Sequence, residues 1–300
     1  MVNATQAVLP APVLLGETRC HLGEGPAYDA ATDTAFWFDI LERRLFEVDF
    51  GIGAVATHEL PLMASALAAI DENRQIVATE SGLYLRERRD GALTLFRGVQ
   101  ADDATTRSND AGVHPGGAFW FSMMSKTAEH GAASIYALSG GQVVLLFEGL
   151  TIPNTICFSA DGTQGFFSDT ARKALYRVPL DPMSGLPTDA PTPLRLSDGG
   201  EGLDGAAMDS EGLIWVARWG GSRIDALTGQ GEIVRSLAVP ARQPSCPVFV
   251  GRAFDRLMVT SAQEGQDEAA RAADPQGGAT FVLTPGAVGR AQPRVRLGAH

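Results

Sequence analysis

Short apolar segments recur along the chain, and groups of turn-forming residues separate them. Typical segments are Phe36-Trp37-Phe38, Phe119-Trp120-Phe121 and Ile214-Trp215-Val216. Short runs of aromatic and β-branched residues bounded by Gly, Asp or Pro are typical of β-strands. Residues 264–273 are the only stretch that favours a helical turn or two. The pattern therefore predicts an all-β protein.

The apolar segments form an internal repeat. Their central residues follow one another at intervals of 40 to 48 residues, and they are Trp37, Val77, Trp120, Phe167, Trp215 and Val259. Six units of about 45 residues, each with four short strands, predict a six-bladed β-propeller with four-stranded antiparallel blades. We expect a single domain over residues 1–300. An all-β sandwich with accidental spacing is the alternative.

Three oxygen-bearing side chains lie at nearly the same point of this repeat. Glu24 and Asn154 each precede the central residue of their unit by 13 positions, and Asp204 precedes its own by 11. In a radial fold, equal repeat positions converge on the central axis. We therefore predict that the three side chains meet at one mouth of the channel, in the loops that enter the innermost strands.

The other units contribute different side chains at this point. Arg107 and Asn109 precede Trp120 by 13 and 11 positions. The second and sixth units place small or apolar residues there, at 64–66 and 246–248. This mixture is typical of a small-molecule pocket with a polar floor and apolar walls on one side.

Carboxylate and amide oxygens are hard ligands, so Glu24, Asn154 and Asp204 favour Ca²⁺, Mg²⁺ or Mn²⁺ over a structural zinc site. Three protein ligands would leave coordination positions open for water or substrate. Each residue alone is more often a turn residue, and the shared repeat position is what favours a metal site.

The composition argues against several classes of function. The net charge of −11 argues against a nucleic-acid partner, which requires basic surfaces. No apolar run is long enough to span a membrane. The three cysteines are odd in number and lack metal-binding spacing, which favours a reduced, cytoplasmic setting.

The motifs around these residues resemble those of the SMP-30/gluconolactonase/LRE family, which includes regucalcin and bacterial sugar lactonases. The resemblance covers nearly the whole chain. It is carried by Leu22-Gly23-Glu24-Gly25-Pro26, Arg107-Ser108-Asn109-Asp110, residues 153–162, Phe167-Ser168-Asp169-Thr170, Leu203-Asp204-Gly205 and Pro244-Ser245-Cys246. No single motif is specific, but the combination is.

The resemblance implies a six-bladed propeller that hydrolyses a sugar (aldono) lactone with one divalent metal ion at the channel mouth. It implies Glu24, Asn154 and Asp204 as metal ligands. Arg107 and Asn109 match residues that bind substrate, although Asn109 could instead reach the metal. We expect Ca²⁺, with Mn²⁺, Mg²⁺ or Zn²⁺ as alternatives. The sequence leaves the particular lactone and the oligomeric state open.

Asp204 is our candidate for the general base, and a metal-bound hydroxide is the competing nucleophile because a ligating carboxylate is a weak base. A non-catalytic metal-binding or interaction propeller is a second hypothesis, and an esterase or phosphotriesterase on the same site is a third. The chain departs from the family pattern at Ala111, Thr155 and Lys126, which affects the substrate pocket more than the metal ligands.

Overall fold

The computed structural model describes residues 10–196 and 201–298, and these residues form six four-stranded antiparallel sheets. The innermost strand of each sheet packs beside the innermost strands of the two neighbouring sheets, so the sheets close into a ring. The chain is thus a six-bladed β-propeller, and the prediction of the fold is confirmed.

Five blades are continuous in sequence and run from their innermost to their outermost strand. Blade 1 contains β2 (Gly23–Asp29), β3 (Thr34–Asp39), β4 (Arg44–Asp49) and β5 (Val55–Glu59). Blade 2 contains β6 (Ala64–Ala69), β7 (Arg74–Thr79), β8 (Gly82–Glu87) and β9 (Leu93–Gly98). Blade 3 contains β10 (Thr106–Val113), β11 (Phe119–Ser125), β12 (Ala133–Ser139) and β13 (Gln142–Leu150). Blade 4 contains β14 (Pro153–Phe158), β15 (Gln164–Asp169), β16 (Ala174–Pro179) and β17 (Thr192–Leu196). Blade 5 contains β18 (Gly202–Met208), β19 (Ile214–Trp219), β20 (Arg223–Leu227) and β21 (Ile233–Ala238).

Blade 6 joins the two ends of the described chain. It contains β22 (Pro244–Val250), β23 (Arg256–Ser261) and β24 (Phe281–Leu283), and β1 (Val13–Leu14) completes it as the outermost strand. Helix α1 (Glu268–Ala273) lies in the connection between β23 and β24. Within the described ranges, no helix has the length and apolar character that a membrane span requires.

The core lies between the blades. Among the described residues, buried apolar side chains form six clusters, and each cluster joins two neighbouring blades. Trp120 and Phe167, for example, share the cluster between blades 3 and 4. The six central residues of the repeat are all buried and all lie on the second strand of their blade. Packing blade against blade in this way fixes the ring and therefore the innermost strands that surround the channel.

Candidate metal centre

The predicted site residues lie on innermost strands of four blades. Glu24 is on β2, Asn154 on β14, Asp204 on β18, and Arg107 and Asn109 are both on β10. All five side chains are buried. Glu24 and Asn154 have the same register, because each is paired with the residue that follows the central residue of its blade. The structure therefore brings the predicted residues to one level of the channel.

The predicted local structure of these residues is wrong in one respect. They lie within the innermost strands, near the first residues of each strand, and not in the loops that precede those strands. Each of the six innermost strands has a β-bulge at or just after the position of the site residues, for example between Glu24 and Ala27, and between Leu203 and Ala206, where Asp204 lies inside the bulge. A bulge adds a residue and can redirect the side chains next to it.

Gly25 shows why small residues follow the acidic ones. It has a φ of 52°, and a Cβ atom there would collide with the carbonyl oxygen of Ser65 on the neighbouring blade. Gly205, after Asp204, faces the side chain of Cys246 in the same way. These glycines let adjacent innermost strands approach closely, so that the carboxylates of Glu24 and Asp204 can reach a common point.

Two buried aspartates hold the chain at the start of blades 1 and 4. The carboxylate of Asp39 accepts hydrogen bonds from the backbone N–H groups of His21 and Leu22, at 2.7 and 3.1 Å. The carboxylate of Asp169 accepts equivalent bonds from Thr151 and Ile152, both at 3.1 Å. Each aspartate thereby fixes the backbone two residues before a predicted metal ligand.

A hydrogen-bond chain orients the amide of Asn154. Its Nδ2 donates to the hydroxyl of Thr170 at 2.9 Å, and its Oδ1 accepts from Nδ2 of Asn109 at 2.7 Å. The Oδ1 of Asn109 in turn accepts from the guanidinium of Arg107 at 2.7 Å. Because an amide oxygen has two lone pairs, Oδ1 of Asn154 retains one acceptor position for a further group.

Sequence reasoning missed two residues of this centre, Asp110 and Thr155. The carboxylate of Asp110 accepts hydrogen bonds from the backbone N–H groups of Ile156, at 2.7 Å, and Ala111, at 2.9 Å. It therefore connects blade 3 to the bulge that follows Asn154. Its position directly after Asn109, in the motif Arg107-Ser108-Asn109-Asp110, was the signal that could have identified it.

Thr155 has a φ of 61°, which is unusual for a β-branched residue. Its hydroxyl donates to the backbone carbonyl of Asp204 at 2.5 Å and lies 2.8 Å from the hydroxyl of Ser168. These bonds compensate for the strained backbone, and the first connects the residue after Asn154 to the backbone of Asp204 on the neighbouring blade.

We expect Thr155→Val to lower the free energy of unfolding by about 2 kcal/mol, because the buried Asp204 carbonyl loses its hydroxyl donor while the backbone strain remains. Thr155→Ser keeps the hydroxyl and is the matched control, with an expected change below about 0.5 kcal/mol. Urea unfolding of the metal-free protein measures both. Equal stability of the Val and Ser variants would show that this hydrogen bond contributes nothing.

The centre has an excess of buried negative charge. Burial, reinforced by the charge of Asp110, raises the pKa of Glu24 from 4.5 to about 8. Burial also raises the pKa of Asp204 well above its ordinary value, and Glu24 and Asp110 add to this shift. Burial raises the pKa of Asp110 to about 7. Desolvation lowers the pKa of Arg107, the nearby cation, against the attraction of Glu264, Glu24 and Asp204.

This donor set fits a hard divalent cation. The two carboxylates and the oriented amide oxygen are all oxygen ligands, and a cation would compensate the repulsion between Glu24 and Asp204. Within the described ranges, no three His, Cys, Asp or Glu side chains are grouped closely enough to hold a metal ion by themselves. The Asn154 amide is thus an essential member of the candidate set.

The raised pKa values predict how the metal-free protein responds to pH. The pKa of Glu24 is about 8 when folded and about 4.5 when unfolded, so the unfolded state binds fewer protons between these values. The contribution of Glu24 to the free energy of unfolding of the metal-free protein should therefore be fully present below about pH 4.5. It should fall as the pH rises toward 8.

Cation binding at pH 6.5 should consequently release about one proton or more, because the ligands must be ionised. Calorimetric titration with metal in two buffers of different ionisation enthalpy measures the number of protons. Binding without proton release would contradict the assignment of Glu24 and Asp204 as ligands.

Below the ring of polar groups the channel forms a cavity of about 560 Å³. Small and apolar residues of the innermost strands line most of it, and residues 290–294 line its far end. Val295 N–H donates to the carbonyl of Ala69, and Arg296 N–H to that of Gly117, so this C-terminal segment is fixed across the opposite face. A small solute would therefore reach the polar groups from the mouth where the innermost strands begin.

The fold and this centre define a class of protein: a six-bladed propeller with an oxygen-donor site in its channel. Residues 22–263 match the SMP-30/Gluconolactonase/LRE-like region, and the chain belongs to this family.

Three relatives are similar over almost their full length. A Rhizobium meliloti (strain 1021) protein whose name proposes a sugar lactone lactonase is 46% identical, with 94% of this chain and 96% of the relative covered. The L-arabinolactonase of Azospirillum brasilense is 31% identical, with 94% of each chain covered. The crystal structure of a calcium-binding protein, regucalcin, from Agrobacterium tumefaciens has a TM-score of 0.94 at 44% identity, covering 96% of this chain and 98% of that one.

Proposed function

We propose that the protein is a metal-dependent lactonase that hydrolyses a sugar lactone to the open-chain sugar acid. The proposal is supported by two buried carboxylates, Glu24 and Asp204, whose charges act on each other, and by the amide oxygen of Asn154, which a hydrogen bond from Asn109 orients. Relatives that cover nearly the whole chain are named for lactone hydrolysis, which supports the same reaction class.

Glu24, Asn154 and Asp204 would hold the cation. When bound, it would supply Lewis-acid polarisation of the lactone carbonyl and stabilise negative charge on that oxygen. We assign Ca²⁺ first because all three donors are oxygens and because the Agrobacterium tumefaciens neighbour is a calcium-binding protein. Mn²⁺, Mg²⁺ and Zn²⁺ are the alternatives.

In our proposal Asp204 accepts a proton from the attacking water, whose oxygen bonds to the carbonyl carbon. The ring C–O bond then breaks, and the ring oxygen takes the proton and leaves as a hydroxyl group of the same molecule. A carboxylate has two oxygens, so Asp204 can serve as ligand through one and as base through the other. Its burial favours this role, because desolvation increases the basicity that a bound cation lowers.

Arg107 and Asn109 would bind the substrate. Both are buried beside Asn154, and the guanidinium of Arg107 uses one nitrogen for Asn109 and the carbonyl of Ser108. The remaining N–H groups of Arg107 can donate to lactone hydroxyls. A lactone that lacks those hydroxyls would leave the buried N–H groups of Arg107 unpaired, so the site would discriminate against it.

We also place this reaction in the cytoplasm. The cysteines Cys20, Cys157 and Cys246 are all buried free thiols, as a reducing compartment would leave them. Cell fractionation followed by detection of the protein tests this assignment, and recovery outside the cytoplasmic fraction would contradict it.

Proton release from a panel of sugar lactones tests the proposed function. We expect turnover by the metal-supplied protein, loss after treatment with EDTA, and recovery when Ca²⁺ or Mn²⁺ is added back. Aryl esters and organophosphates in the same panel test the esterase and phosphotriesterase hypotheses. Tight metal binding without turnover of any substrate would favour a non-catalytic propeller and would contradict the proposal.

A further inference from the structure

The segment that follows β23 is fixed beside the strand that carries Glu24. Ala262 forms a β-bridge with Leu22, and the backbone N–H of Gln263 donates to the carbonyl of His21 at 2.9 Å. The chain therefore continues from blade 6 along the beginning of β2, at the mouth where the polar groups lie. Glu264 is the next residue.

Two buried glutamines hold the backbone of Glu264. Nε2 of Gln243 donates to the Glu264 carbonyl at 3.1 Å, and Nε2 of Gln266 donates to Oε1 of Gln243 at 2.6 Å. The guanidinium of Arg271, on α1, donates to the carbonyl of Gln266 at 3.0 Å. These bonds make the segment a rigid support for the Glu264 side chain.

Glu264 lies two residues beyond the Ala262 bridge, so its backbone is at the channel mouth beside the start of β2. It is half-buried, and it is the strongest opposite charge acting on Arg107. It also acts on the carboxylates of Glu24 and Asp204, which lie on two other blades. The backbone position at the mouth and these interactions with side chains of three blades agree with each other. Within the described part of the chain, the carboxylate oxygens of Glu264 have no hydrogen-bond or ion-pair partner.

Arg107 and Glu264 belong to blades 3 and 6, which are opposite each other in a ring of six. The channel mouth thus has the Arg107 guanidinium on one side, oriented by Asn109, and the carboxylate of Glu264 on the other. A molecule that carries several hydroxyl groups can accept from the guanidinium through one and donate to the carboxylate through others. An unsubstituted ring cannot make the second set of bonds.

We propose that Glu264 is a specificity-determining residue that accepts hydrogen bonds from the hydroxyl groups of the lactone, opposite Arg107. This inference rests on the proposed function of the same site. It assigns the preference for polyhydroxylated lactones to a residue outside the innermost strands.

Steady-state kinetics of Glu264→Ala and Glu264→Gln test the assignment on two substrates, a polyhydroxylated aldonolactone and unsubstituted δ-valerolactone. For the hydroxylated lactone we expect Glu264→Ala to raise KM by about 10-fold or more with little change in kcat, and Glu264→Gln to have a smaller effect. KM for δ-valerolactone should not change. Glu268→Gln, an exposed glutamate of α1, is the matched control and should behave as wild type on both substrates.

An unchanged KM for the hydroxylated lactone would overturn the inference, and so would an equal rise for both substrates. Calorimetric titration with a sugar acid separates this result from a failure of the proposed function. If the wild-type protein turns over no lactone, the proposed function fails. Weaker sugar-acid binding by Glu264→Ala than by Glu268→Gln would then still support a hydroxyl-binding role, and equal binding would refute it.

Discussion

Replacing Asp204 by asparagine should lower kcat/KM for a sugar lactone by about 10³-fold, or about 4 kcal/mol, at saturating metal. The side chain is buried at the centre of the site, and the change removes both a charged ligand and the proposed base. The amide is nearly isosteric, so it preserves the side-chain volume. Asp204→Ala should be at least as inactive and should also bind metal more weakly.

The control for this experiment is Asp102→Asn, an exposed aspartate in the loop between β9 and β10, which should keep wild-type kinetics. Proton release is measured at increasing metal concentration, so that loss of metal and loss of the base can be separated. Near wild-type activity of both Asp204 variants at saturating metal would remove Asp204 from the mechanism and favour hydroxide generated on the cation.

Replacing Gly25 by alanine should lower the free energy of unfolding by about 3 kcal/mol. The new Cβ would collide with the carbonyl of Ser65, and the φ of 52° is unfavourable for alanine. Relief of this collision requires blades 1 and 2 to separate at the level of Glu24. We therefore also expect weaker metal binding by this variant.

Gly53→Ala is the matched control, because Gly53 also has a positive φ, of 78°, but a Cβ there would meet nothing within 4 Å. Its expected cost is about 1 kcal/mol, from the backbone conformation alone. Urea unfolding of both variants separates the collision from the conformational strain. Equal destabilisation would mean that close approach of the blades at Gly25 is not required.

The fold was predictable because the same packing problem recurs in every blade. A four-stranded sheet must bury both faces, so a large apolar residue returns on the second strand of each unit, as Trp37, Trp120 and Trp215 do. The spacing of these residues reports the repeat directly. What the repeat could not indicate was that β1, far away in sequence, completes blade 6.

The candidate ligands were predicted from their shared position in the repeat. This reasoning has limits that follow from the structure. Equivalent innermost strands have equivalent register, as Glu24 and Asn154 show. The bulges could not be predicted, because Thr155 adopts at its bulge a left-handed conformation that its side chain disfavours. A hydrogen bond from its hydroxyl to the carbonyl of Asp204 on another strand stabilises this conformation. Glu264 belongs to a connection between the second and third strands of its blade, and no repeat position marks it.

The claim that Glu24, Asn154 and Asp204 share one cation is tested most directly by anomalous diffraction from crystals soaked with Mn²⁺. We expect one anomalous peak at the channel mouth, within about 2.0 to 2.3 Å of an oxygen of each of the three side chains. The peak should be absent in crystals of the Asp204→Ala variant. An ion bound elsewhere, or no ion at this mouth in the wild-type protein, would contradict the assignment.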